Sequence, residues 1–155
     1  MRHAAVVSVV VGVLLGGGAT PPAGADAKLE RKYAGLIVIS PDPAPTVASE
    51  LPSYVQANLV KDGPYELIKG SPWQVHLVGF LSKPAGKRPL MLVLADAADP
   101  KLVAIDTLEV GAKGRLVITS TKLTTAAGYV VNKTYAVRLM RDQTVLARTE
   151  LKLRD

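Results

Sequence analysis

A search for chemistry in this chain starts at His76. The 155 residues include two histidines and no cysteine. The other histidine, His3, falls in a segment read below as an export signal. A serine-histidine-acid triad would have to use His76 as its base. It stands in the run Trp73-Gln74-Val75-His76-Leu77, on the polar side shared with Gln74, where a strand histidine is solvated rather than catalytic. No Gly-x-Ser-x-Gly elbow accompanies it. Lack of cysteine excludes disulfides, thiolate metal sites and a cysteine nucleophile. One histidine cannot supply the several ligands that zinc or copper takes.

Carboxylates come next. Asp96, Asp99, Asp106 and Glu109 place four acids within fourteen residues, and such oxygens could gather a calcium ion at one end of a fold. Turn chemistry competes for them, since Asp99-Pro100 is a turn initiator. A paired-carboxylate glycosidase needs a deep cleft and stacking aromatics, and aromatics are 5% of the chain. The expectation is no catalytic residue, no cofactor and no firm metal site, with those four acids as the calcium candidates.

The basic groups are thinly spread. Lys87-Arg88 and Lys113-Gly114-Arg115 mark two turns within a formal net charge of +6. No basic run with interleaved aromatics appears, so no nucleic-acid partner is expected. Asn132-Lys133-Thr134 matches a glycosylation acceptor. Tyr54, Tyr65 and Trp73 either form a binding patch or cover a core edge.

These residues must be positioned by a chain that begins with an address. Met1-Arg2-His3 is a basic start, residues 4–15 are apolar apart from Ser8 and Gly12, and glycines and prolines follow. Ala23-Gly24-Ala25 and Ala25-Asp26-Ala27 are two small-x-small sites. That order is a secretory signal peptide. This twelve-residue run rises about 18 Å as a helix, short of a ~30 Å hydrocarbon core. The expected division is a signal over 1–27 and one domain over 28–155, secreted or periplasmic and with no stable membrane insertion after cleavage. Removing 27 residues leaves 18 Lys and Arg against 12 Asp and Glu. A domain of that length can bury a core without disulfides.

Proline splits the domain. Nine prolines lie between residues 28 and 100 and none follows Pro100, so the second half is free to run as paired strands. Residues 36–39 read as a short strand. Residues 50–60 read as a short helix, with Ser49 as its N-cap and Leu51, Tyr54, Val55 and Leu59 on one face. A strand follows over 72–82, with a bulge near Gly79 where the alternation fails. Residues 90–95 are continuously apolar and read as a central strand or an interface. Further strands are expected over 101–110 and 115–123. The clearest pair closes the domain. Tyr135, Val137 and Leu139 alternate with Ala136, Arg138 and Met140; Val145, Ala147, Thr149, Leu151 and Leu153 alternate with Leu146, Arg148, Glu150 and Lys152. This is an antiparallel hairpin with one apolar face, and the Arg148, Glu150, Lys152 row reads as solvated surface. The sum is an all-β, antiparallel two-sheet sandwich of about seven strands with one short helix near 50–60.

The closing segment, 116–153, resembles the last strands of immunoglobulin-like and fibronectin type III-like domains. Those domains have a loop before a strand that opens on a tyrosine; here the loop is 124–133 and the strand opens Thr134-Tyr135-Ala136-Val137. The resemblance implies that Tyr135 is a tyrosine-corner residue and that Trp73 is a buried core tryptophan. It implies a fold but no function.

Three functions fit these expectations. The first is an exported structural or interaction module of the periplasm, envelope or extracellular space, binding another protein or an envelope polymer. The second is an assembly factor that adds a strand to another chain through 90–95. The third is a calcium- or small-ligand-binding protein centred on Asp96, Asp99, Asp106 and Glu109.

Overall fold

The computed structural model describes residues 23–68 and 70–155. The apolar run 4–15 therefore lies outside the described residues. Helix α1 (Ala23–Lys32) includes both small-x-small sites. Among the described residues, no helix is long and apolar enough to cross a membrane.

Eight strands follow: β1 (Ile37–Ser40), β2 (Tyr65–Leu67), β3 (Trp73–Phe80), β4 (Leu90–Asp96), β5 (Ala104–Val110), β6 (Leu116–Leu123), β7 (Thr134–Arg141) and β8 (Thr144–Leu153). They form two sheets, of order β1-β3-β6 and β2-β8-β7-β4-β5. All strand pairs are antiparallel except β2 with β8, which run parallel. The strand beyond the expected seven is β2, three residues too short to show a period.

Alternation builds the core. Trp73, Val75 and Leu77 on β3 are buried together with Leu92 and Leu94 on β4, Val137 and Leu139 on β7, and Leu151 and Leu153 on β8. Burying apolar faces of both sheets against each other is what stabilises a sandwich of this kind.

The bulge expected at Gly79 is absent. Register runs unbroken through it, with Gly79 opposite Ile37 on one side and Val117 on the other. The alternation fails for another reason. Val78 and Phe80 face away from the second sheet yet are fully buried. Tyr33, just after α1, stacks on Phe80 with ring centroids 5.5 Å apart, so the outer face is covered there.

Helix α2 (Leu51–Asn58) matches the expected short helix, but Ser49 does not cap it. A 3-10 turn over Ala48–Glu50 leads into the helix, and no side chain caps either element. Pro52 in the first helical turn lacks an N–H and leaves one fewer donor to cap. Leu51 and Val55 carry the buried face, and the helix packs on β1.

The run 90–95 is a centre and not an edge, because β4 pairs with β5 on one side and β7 on the other. Strand addition to 90–95 is thereby ruled out. The strand expected over 101–110 starts only at Ala104, since residues 99–103 form a turn.

The last hairpin holds a further correction. Val145 was expected inside and Leu146 outside. Register shifts between Leu139 and Met140, so that Met140 opposes Val145 while Leu139 opposes Ala147. Leu146 is the extra residue. It turns inward and is 1% exposed, and Val145 is left 39% exposed. One inserted residue exchanges the two faces of a strand.

Candidate functional site

The four acids of the calcium expectation are dispersed and largely engaged. Asp96 ends β4, and its Oδ1 accepts the backbone N–H of Ala98 at 2.9 Å. Its Oδ2 lies 2.6 Å from Lys133 Nζ. The lysine hydrogen bond is the main reason the Asp96 carboxyl titrates below its ordinary value, with the Ala98 N–H adding to it. Lys133 is correspondingly held protonated above its usual range by the Asp96 hydrogen bond. Asp99 accepts the backbone N–H groups of Lys101 and Val103 at 2.9 and 3.1 Å. Asp106 accepts the N–H of Thr107 at 2.9 Å. Glu109 lies exposed further along β5. Among the described residues no three His, Cys, Asp or Glu side chains converge as a metal site.

His76 sits mid-strand on β3, opposite Ser40 on β1 and Ser120 on β6. Among the described residues no hydrogen bond links its ring to either serine. Ser40 is fully buried, and its Oγ accepts the Asp42 N–H at 3.1 Å.

The aromatics of the first half tie connections together and make no shared patch. Tyr54 donates to the Asp42 carbonyl at 2.7 Å. Tyr65 accepts from the Val60 N–H at 3.3 Å. Burial raises both phenols above their usual range. Trp73 Nε1 donates to the Arg154 carbonyl at 2.9 Å, pinning β3 to the chain beyond β8. Of the basic turn residues, Arg88 is ion-paired with Asp142 and Lys113 is exposed. Asn132 is exposed at a left-handed φ of 63°, and its N–H donates to the Leu153 carbonyl at 2.7 Å.

The concave feature of this surface is on the outer face of the five-stranded sheet. A depression of about 510 Å³ has Leu102, Ala136, Arg138, Val145, Arg148 and Glu150 among its lining residues. A second, of about 260 Å³, shares Val145 and Arg148 with it. The Asp99 turn builds one wall. It holds Leu102 at φ 46°, a left-handed conformation that costs a leucine about 1 kcal/mol. The Leu102 carbonyl then accepts from Arg138 Nη2 at 2.9 Å.

Arg138 is half-buried, and its Nε is enclosed without a hydrogen-bond partner. Directly opposite on β8 stands Arg148, which is exposed. Like charges facing across a strand pair cost of order 0.2–1 kcal/mol. Among the described residues the ion pairs are Arg88–Asp142, Lys133–Asp96 and Arg154–Glu66, so neither facing arginine is neutralised. The sequence showed Arg138 and Arg148 only as outward residues. A flat hairpin turning at Asp142-Gln143 would set Arg138 opposite Ala147. The Leu146 insertion is what brings the two arginines together.

The strand order also identifies the architecture. One sheet holds the first, third and sixth strands, and the other holds the fourth, fifth, seventh and eighth, with the short β2 added at its β8 edge. That is the division of an immunoglobulin-like sandwich. Tyr135 confirms it locally: at the start of β7 its hydroxyl accepts the Val130 N–H at 2.8 Å, the bond of a tyrosine corner. Trp73 is buried as implied, on β3. No family model matches the chain, and no curated protein does. Among solved structures, an immunoglobulin-like protein from Pseudomonas aeruginosa is similar at 15% identity and a TM-score of 0.38, covering 64% of this chain and 85% of that one.

Proposed function

We propose that this immunoglobulin-like domain is an exported, non-enzymatic interaction module of the periplasm, cell envelope or extracellular space, and that its partner is another protein or an envelope polymer. Export is read from the basic start, the apolar run and the two small-x-small sites before Lys28. The module reading is carried by one observation: the acids and the histidine that could do chemistry are scattered over separate elements, and Asp96, Asp99 and Asp106 are occupied in holding turns or strands. What remains open to a partner is a sheet face.

Expression of the full chain in a bacterial host, with fractionation and N-terminal sequencing, tests the export half. The expected product is extracytoplasmic and begins at Asp26 or Lys28. An unprocessed chain retained in the cytoplasm overturns it. A hydrolase panel tests the other half. Turnover abolished by a single substitution at His76 or Asp106 would refute the module reading.

A further inference from the structure

We infer that the outer face of the five-stranded sheet, centred on Arg138 and Arg148, is the docking surface for an extended protein segment that carries carboxylate and apolar side chains on one face. The inference rests on the interaction-module reading and names its surface and the chemistry of its partner.

Three observations carry it. Arg138 and Arg148 stand at paired positions on β7 and β8 and line the same depression, and among the described residues no carboxylate is ion-paired to either. One of them, Arg138, has an enclosed Nε that no group of the chain satisfies. Its Nη2 is fixed by the Leu102 carbonyl, on a turn that Asp99 and a left-handed leucine hold in place. A carboxylate between the arginines would accept charge-assisted hydrogen bonds from both and remove their mutual repulsion.

The shape selects the occupant. The two depressions share Val145 and Arg148 as lining residues, and both open to solvent rather than forming enclosed pockets. Leu102, Ala136 and Val145 put apolar surface beside the arginines. An extended peptide presents every second side chain on one face, so acidic and apolar residues two positions apart fit this lining. An anionic polysaccharide would lay hydroxyls on that apolar surface. Glu150 also lines the depression, is in none of the ion pairs above, and disfavours a partner whose acidic groups reach beyond the arginines.

The experiment uses an acetylated peptide of Glu-Ser-Val-Ser repeats, the same peptide with Gln for Glu, and heparin. Each is titrated into the isotopically labelled full chain and followed by NMR. The Glu peptide is expected to bind, with shifts confined to β7, β8 and residues 99–103, and to weaken as salt rises. Arg138→Gln should lower its affinity about tenfold and Arg148→Gln about fivefold, with Glu150→Gln tightening it. Arg148 is exposed, so its variant keeps the test valid if Arg138→Gln fails to fold, as circular dichroism will report. Equal binding of the Gln peptide, no binding at millimolar Glu peptide, or tighter binding of heparin through the same arginines each overturns the proposal. A chain that is exported and inactive but ignores the Glu peptide loses this surface and keeps its role as a module.

Discussion

Leu139 Cδ1 fills the space in which a Cβ on Gly79 would lie. The two residues belong to the central strands of opposite sheets, β3 and β7, and mark a close approach of those strands. Glycine is required there for room and not for a special backbone angle. Gly79→Ala forces a core side chain or a sheet to move and should cost about 1–3 kcal/mol in chemical denaturation. Adding Leu139→Val should recover part of that loss, which a double-mutant cycle measures directly.

Tyr129 and Tyr135 pack edge to face with centroids 5.0 Å apart, yet removal of their hydroxyls should act with opposite sign. The Tyr135 hydroxyl holds the Val130 N–H, so Tyr135→Phe strands a donor and should cost about 1–2 kcal/mol. The Tyr129 hydroxyl is buried with no partner. Tyr129→Phe should be neutral or stabilising by up to about 1 kcal/mol. Thermal melts of the two variants check both.

Burial, with the Asp106 and Tyr135 charges adding to it, pushes the Tyr129 phenol up to about 12. The unfolded chain ionises near pH 10 while the folded one holds the proton. Stability should therefore fall between pH 10 and about 12, by at most about 1.4 kcal/mol per pH unit from this group. Ultraviolet difference spectra should show one tyrosine that ionises last, missing in Tyr129→Phe.

The Asp96–Lys133 pair sets the acid side. Its folded carboxyl titrates below the unfolded one, so its contribution is complete above the unfolded pKa and is lost as pH falls through the folded value. Lys133→Met should raise the Asp96 titration toward the ordinary carboxyl value, with the Ala98 N–H still holding it below, read by carbon-detected NMR.

At the hairpin, Leu146→Ala should cost about 2–4 kcal/mol, and Val145→Ala should change stability by no more than about 0.5 kcal/mol. Equal effects would remove the bulge.

The alternation of Tyr135, Val137 and Leu139 made the last hairpin legible in the sequence, the spacing of strands and turns made the sandwich legible, and the resemblance to immunoglobulin-like domains implied the tyrosine corner. What stayed hidden depended on contacts between distant segments. Phe80 looked like a broken alternation because its cover, Tyr33, lies 47 residues away. Gly79 looked like a bulge because no local pattern tells of Leu139. The three-residue β2 has no period, and its partner Leu151 is far along the chain. The arginine pair was hidden by a single inserted residue. Local period reads strands; it does not read register or cross-sheet fit.

The parallel pairing of β2 with β8 also fixes an order of assembly. Trp73 bonds to Arg154 across 81 residues, and Glu66 to Arg154 across 88. Leu36 bridges to Arg148. Both early segments wait on β8, so the five-stranded sheet closes only after nearly all of the domain is available. Such distant pairings fold slowly. On the export reading proposed above, a chain that cannot close early stays threadable for longer, which is the state a translocation pore accepts.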